Sequence, residues 1–285
     1  MNAPHALPER SWVDGREAGE ISALDRGLHY GDGLFETMAC VGGGVRFLGE
    51  HLQRLASGCE RLGIPAPDAA LLRREIAVAT AGAPQAVLKL ILTRGAARAR
   101  GYAATGEEQP TRVLLRYPGP LSVADAPEGV RVRIARLRLA ENPALAGIKH
   151  LNRLEQVLAR FEWTDPAIAE ALMFSVSGAL VSGTMSNVFL VRQGKLLTPR
   201  LDRCGVAGVM RAVVAALASQ AGIDFEKRVL GAEDLREAQE LFLTNALTGI
   251  RPIRDLAGRA LGVGPLTQRL QHALAPLLAR AAEAP

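Results

Sequence analysis

A Pro118–Gly119–Pro120 triplet interrupts this chain, and no regular element continues through it. Two fixed φ angles and two missing N–H donors break both a helix turn and a strand ladder. On either side the sequence is strongly patterned, so the chain reads as two folding units, and 285 residues fit that division. The pattern assigns residues 1–117 to a smaller N-terminal domain, 118–124 to the interdomain linker and 125–285 to a larger C-terminal domain.

Within the first unit Leu48, Leu52, Leu55, Cys59 and Leu62 recur at helical spacing, and Pro65 closes a helix over about 49–62. Residues 87–93 and 112–117 read as strands. Between them, residues 94–110 form a Gly-, Ala- and charge-rich loop, longer than a simple connection needs. The second unit opens with a strand at 129–139, followed by a helix over about 150–161 that aligns Leu151, Leu154, Leu158 and Phe161. Further strands are predicted at 171–176, 187–192 and 241–244, a helix at 209–220, and a C-terminal amphipathic helix through Leu266, Leu270, Leu274 and Leu278. Strands and helices that mix without a regular β-α repeat predict an α+β fold rather than a doubly wound sheet.

The formal net charge is +5, from 34 basic and 29 acidic residues. Only four of the basic residues are lysines: Lys89, Lys149, Lys195 and Lys227. The densest arginine group, Arg131, Arg133, Arg136 and Arg138, is interleaved with Val130, Val132, Ile134 and Leu137, as on a solvated strand face. With 4% aromatic residues and no helix-turn-helix, RNP or zinc-finger pattern, no nucleic-acid partner is expected. Cys40, Cys59 and Cys204 are odd in number and far apart, which argues against a disulfide framework and a thiolate metal site. No apolar run approaches the ~20 residues needed to span a bilayer, and residues 1–12 lack a signal-peptide layout, so a cytoplasmic protein without membrane contact is expected.

There is no P-loop, no G-x-S-x-G and no H-E-x-x-H. The Gly31–Asp32–Gly33 pair is followed by Glu36 where a dinucleotide fingerprint needs Gly or Ala. Two features remain. The loop Gly205–Val206–Ala207–Gly208 runs straight into a predicted helix, where unpaired N–H groups attract anions. Lys89, Lys195 and Lys227 read as solvated, whereas Lys149 follows the small apolar stretch 144–148 and precedes a helix. Partial desolvation there would lower the amine pKa and make it nucleophilic.

The run Ala146–Gly147–Ile148–Lys149–His150–Leu151–Asn152–Arg153–Leu154–Glu155–Gln156 resembles the lysine segment of the fold-type IV pyridoxal-phosphate family, which unites aminodeoxychorismate lyases with D-amino-acid and branched-chain aminotransferases. Asp25–Arg26–Gly27, the stretch Tyr30–Gly31–Asp32–Gly33–Leu34–Phe35–Glu36–Thr37, and His51–Leu52–Gln53–Arg54–Leu55 resemble its N-terminal motifs. Gly183–Thr184–Met185–Ser186–Asn187, Thr198–Pro199–Arg200 and the 205–211 segment resemble its cofactor-side motifs. The resemblance implies a two-domain α+β fold with a barrel-like sheet in the larger domain, a homodimer, and pyridoxal 5'-phosphate as cofactor. It implies that Lys149 holds the cofactor covalently and serves as the proton-transfer base, and that Arg54 binds its phosphate together with the Val206 and Ala207 N–H groups and Asn245.

Two departures from the family pattern shape the expected reaction. Most relatives place a glutamate before Gly183–Thr184, against the cofactor's ring nitrogen, and this chain has Ser182. A hydroxyl offers only a neutral hydrogen bond, which makes the ring a poorer electron sink and disfavours aminotransfer. The loop Arg94–Gly95–Ala96–Ala97–Arg98–Ala99–Arg100–Gly101–Tyr102 is longer and poorer in glycine than in lyases. Arg100 is the expected clamp for a substrate carboxylate, with Arg94 or Arg98 as rivals and with Tyr102 and Tyr30 as further substrate-binding residues; Thr37 offers a hydroxyl near the leaving group. The resemblance implies the lyase branch, converting 4-amino-4-deoxychorismate to 4-aminobenzoate and pyruvate on the route to folate. A D-amino-acid or branched-chain aminotransferase is the alternative.

Overall fold

A computed structural model describes residues 7–119, 128–279 and 282–285. Its described residues divide into two compact units, one of 7–119, 148–152 and 282–285, the other of 128–147 and 153–279. Residues 120–124 of the expected linker lie outside the described residues.

The first unit is a six-stranded antiparallel sheet with three helices. Its strands are β1 (Arg10–Val13), β2 (Arg16–Glu17), β3 (Gly33–Val41), β4 (Gly44–Val45), β5 (Gln85–Thr93) and β6 (Arg112–Pro118), in the order β2-β1-β6-β5-β3-β4. The helices are α1 (Arg26–Tyr30), α2 (Leu48–Leu62) and α3 (Ala69–Thr80). Alternate residues of β3 and β5, namely Leu34, Met38, Leu88, Leu90 and Leu92, are fully buried, as period-two patterning requires. They pack with the α2 stripe Leu48, Leu52, Leu55 and Cys59, and α2 ends on Gly63 in the left-handed region. Gly58 brings α2 close to β3, where a Cβ would stand 2.9 Å from the Leu34 methyls.

The second unit holds β7 (Val130–Leu139), α4 (Leu154–Arg160), β8 (Ile168–Ser175), β9 (Leu180–Gly183), β10 (Asn187–Arg192), β11 (Lys195–Pro199), α5 (Val209–Gln220), β12 (Phe225–Arg228), α6 (Ala232–Glu237), β13 (Glu240–Asn245), β14 (Gly249–Leu256), β15 (Arg259–Ala260) and α7 (Pro265–Ala279). Its curled half-barrel sheet runs β12-β11-β10-β13-β14-β7-β8-β9, with β15 on β14. It is mixed, since β7 runs parallel to both β14 and β8. Stacked Phe189 and Phe242 sit in its buried core, with ring centroids 5.0 Å apart. No helix among the described residues is long and apolar enough to cross a membrane.

The structure differs from the sequence reading in three places. The helix expected over 150–161 is only Leu154–Arg160, and Leu154 and Phe161 of its stripe are 69% and 75% exposed. The regular arginine alternation on β7 slips at register shifts, so that Ala135 turns inward and Ile134 outward. Residues 148–152 and 282–285, both expected in the C-terminal domain, belong to the first unit: Ile148 joins its core, the Phe35 N–H donates to the Lys149 carbonyl at 3.0 Å, Leu34 and His150 form an isolated bridge, and Glu283 bridges Val45.

Truncating Leu90, fully buried at the centre of β5, leaves a cavity between sheet and helices. Leu90→Ala is expected to cost about 2–5 kcal/mol in urea unfolding.

Candidate active site

β3 separates two chemistries by its alternation. Glu36 points with Leu34 and Met38 toward α2, where it is 1% exposed. His51 and Arg54, one helical turn apart on α2, converge on it. His51 Nδ1 lies 2.6 Å from Glu36 Oε2, Arg54 Nε donates to Oε1 at 2.8 Å, and Arg54 Nη2 pairs with Oε2. Burial alone would raise the Glu36 pKa, but the His51 and Arg54 hydrogen bonds and the Arg54 charge hold it below the ordinary carboxylate range. The bidentate pair fixes the plane of the Arg54 guanidinium. His51 Nε2 is buried without a hydrogen-bond partner among the described residues.

The opposite face of β3 carries Phe35 and Thr37. The Lys149 Nζ stands 4.1 Å from the centre of the Phe35 ring, and the Lys89 Nζ stands 5.5 Å from it. Thr37 lies opposite Lys89 in the β3–β5 register. Lys89, read from sequence as a solvated residue, is thus half-buried beside Phe35. Its place inside an apolar strand was the available signal.

The 94–110 loop lies on the segment around α1. Arg94, a rival substrate clamp in the sequence, is committed elsewhere: it donates twice to Asp32, at 2.8 and 3.1 Å, and to the carbonyls of Leu62 and Gly63. Burial would raise the Asp32 pKa, but Arg94 and Arg26 outweigh it and hold the carboxyl low. Arg98 and Arg100 are exposed. Tyr102 is exposed as well, with its ring 5.3 Å from that of Tyr30.

In the second unit Asn187, at the start of β10, grips the loop before α5. Its Nδ2 donates to the Val206 carbonyl at 2.8 Å, and its Oδ1 accepts the Gly208 N–H at 3.2 Å. A Cβ on Gly208 would come within 2.1 Å of that Oδ1, so the grip requires glycine there. The Ala207 N–H, expected in the phosphate cup, donates instead to the Gly147 carbonyl at 3.0 Å, while the Val206 N–H has no acceptor among the described residues. The Asn245 Oδ1 is spent on the turn after β13, accepting from the Leu247 and Thr248 N–H groups.

Ser182 is buried on β9, and its hydroxyl donates to the Gly183 carbonyl at 2.8 Å. Beneath the following turn lies Glu170, an acid that sequence reasoning missed, since nothing in its spacing marked it. It accepts from the Met185 N–H at 2.7 Å and from the Ser186 and Thr184 hydroxyls, and burial raises its pKa. Only a glycine at 183 leaves room for this carboxyl, because a Cβ would lie 2.3 Å from it.

Since Glu36 titrates below its ordinary value of 4.5, its ion pairs stabilise the fold above that value and lose their effect as the pH falls through the depressed one. Glu36→Gln, which leaves the Arg54 guanidinium without its carboxylate beside the buried His51, is expected to cost about 3–5 kcal/mol near pH 7 and to flatten the acid limb of stability followed by urea unfolding across pH.

The model of the amino-transferase class IV family matches residues 33–256. Aminodeoxychorismate lyase of Vibrio harveyi is 32% identical over 91% of this chain and 97% of its own length. D-alanine aminotransferase of Bacillus licheniformis is 28% identical over 89% and 90%. Among solved structures, 4-amino-4-deoxychorismate lyase from Pseudomonas aeruginosa superposes with a TM-score of 0.88 at 48% identity, covering 93% of this chain and 98% of that one. With a Lys149-bearing segment lodged against β3 and a glycine loop gripped ahead of α5, this chain belongs to the amino-transferase class IV family.

Proposed function

We propose that the protein is a pyridoxal-phosphate-dependent lyase that converts 4-amino-4-deoxychorismate to 4-aminobenzoate and pyruvate, acting as a homodimer in folate biosynthesis. The contrast between relatives carries this reading: the Pseudomonas aeruginosa lyase shares nearly half of the aligned residues, the Bacillus licheniformis aminotransferase little more than a quarter. The residues present fit the cofactor. An amine for covalent attachment stands over an aromatic face, an oriented guanidinium suits a phosphate, and the Val206 N–H at a helix entrance lacks an acceptor among the described residues. When bound, pyridoxal phosphate supplies an electron sink for charge developing at an amine-bearing carbon.

Each side chain then has a task. Lys149 would hold the cofactor, and its freed amine would take the proton from the amine-bearing ring carbon of the substrate. The ether bond to the enolpyruvyl group breaks as the ring becomes aromatic, and the leaving fragment gains a proton to become pyruvate; Thr37 offers the hydroxyl for that proton. Arg54 and the Val206 N–H would each suit the cofactor's phosphate. The Ala207 N–H supports the same loop through Gly147, two residues before Lys149. Asn245 closes that end of the site. Ser182 would offer the cofactor an uncharged partner, which suits an elimination driven by aromatisation. Arg100 takes a substrate carboxylate, flanked by Tyr102 and Tyr30. Arg94 braces the loop through Asp32 rather than binding substrate.

The test is an absorption spectrum of the purified protein before and after borohydride, followed by addition of aminodeoxychorismate with 4-aminobenzoate fluorescence as readout. A visible band lost on reduction, its absence in Lys149→Ala, and product release are the expected results. A band without product, together with amino transfer from D-alanine to 2-oxoglutarate, would instead identify an aminotransferase. Arg54→Ala, which removes charge-assisted hydrogen bonds of about 2–3 kcal/mol, is expected to weaken cofactor binding by about 30- to 150-fold in a titration of the apoprotein.

A further inference from the structure

The buried arginine in the N-terminal motif has no task in the chemistry above. Arg26, on the five-residue helix α1, is 4% exposed. Its Nε donates to Asp32 Oδ2 at 2.9 Å. Its remaining nitrogens fan out to three consecutive carbonyls of the long loop: Nη2 to Tyr102 at 2.6 Å, and Nη1 to Gly101 at 3.3 Å and Ala103 at 3.4 Å. The guanidinium carbon lies 5.1 Å from the centre of the Tyr30 ring, which in turn meets Tyr102. Upstream, the Arg26 N–H donates to the Gly95 carbonyl at 2.9 Å, and the Ala97 N–H donates to the Leu24 carbonyl at 2.8 Å.

The loop is therefore fixed at residues 95–97 and again at 101–103, with the exposed Arg98–Ala99–Arg100 stretch between the two anchors. Its far half is secured independently. Glu108 accepts from the Thr105 and Gly106 N–H groups at 2.8 and 2.9 Å, contacts that hold its carboxyl at about 2. The influence of Arg26 thus falls on the stretch beside Arg100 and Tyr102 and not on the whole loop.

We propose that Arg26 is a positioning residue that sets the affinity for the carboxylate substrate, by holding the backbone of 101–103 so that Arg100 and Tyr102 are presented in one arrangement. The proposal rests on the lyase reading above. A planar fork reaching one carboxylate and three carbonyls has no lysine equivalent, because an ammonium is a point donor on a flexible stem. Arg26 itself need not touch the substrate. Ordering the loop in advance lowers the conformational cost of binding.

The test compares wild-type holoenzyme with Arg26→Lys and Arg26→Met by tryptic cleavage after Arg98 and Arg100, read by mass spectrometry, and by steady-state kinetics of 4-aminobenzoate formation. The expected result is faster cutting at both bonds and a KM raised by about tenfold or more, with kcat changed less than about threefold and the cofactor's absorption spectrum intact. A merely structural role would move the unfolding midpoint and the spectrum without this split. Should Arg26→Met fail to fold, Arg26→Lys, which keeps a cation beside Asp32, carries the comparison. Unchanged cutting overturns the anchor, and faster cutting with unchanged KM overturns its role in affinity. A wild-type protein that releases no 4-aminobenzoate overturns the underlying reading instead, and its cleavage pattern still decides whether Arg26 holds the loop.

Discussion

A single buried carboxylate organises the first unit. Glu36 stands where β3 meets α2, and a lone ionised acid there would face a desolvation cost of several kcal/mol. His51 and Arg54 offset that cost, and in doing so they tie the helix to the strand and fix a guanidinium in one orientation. The same strand, by its two-residue period, sends Phe35 and Thr37 to the other face, where the Lys149 amine stands over the aromatic ring. The two faces share one strand, so neither face of β3 can slip in register without displacing the other.

The elements that the sequence announced correctly are those in which burial follows the local period. The β5 and α2 stripes are core, and their limits differ from the predicted ones by a residue or two. The expected helix at 150–161 is shortened because Leu154, Leu158 and Phe161 of its stripe are exposed, and residues 150–152, Leu151 among them, are drawn into the first unit instead. On β7, register shifts that no residue type announces changed which side chains point inward.

For the candidate site, scarcity singled out Lys149 and motif spacing singled out Arg54. Partnerships were not legible. That Arg94 belongs to Asp32, that Glu170 underlies the Gly183 turn and that Asn187 grips Val206 and Gly208 are contacts between residues distant in sequence. One sequence carries no trace of them. Glu36 read as a letter of a motif, although the structure makes it the residue on which Arg54 depends.

The first unit is assembled from three stretches of chain, with residues 148–152 laid beside β3 and Glu283 bridged to Val45 near its end. On a ribosome this unit therefore cannot close when its own strands have been made. The space beside Leu34 waits for residues made more than a hundred positions later, and the β4 edge waits for Glu283, made more than two hundred positions after Val45. Vectorial synthesis, which lets many domains close as their own strands emerge, here leaves the first unit open until residue 283 has been made.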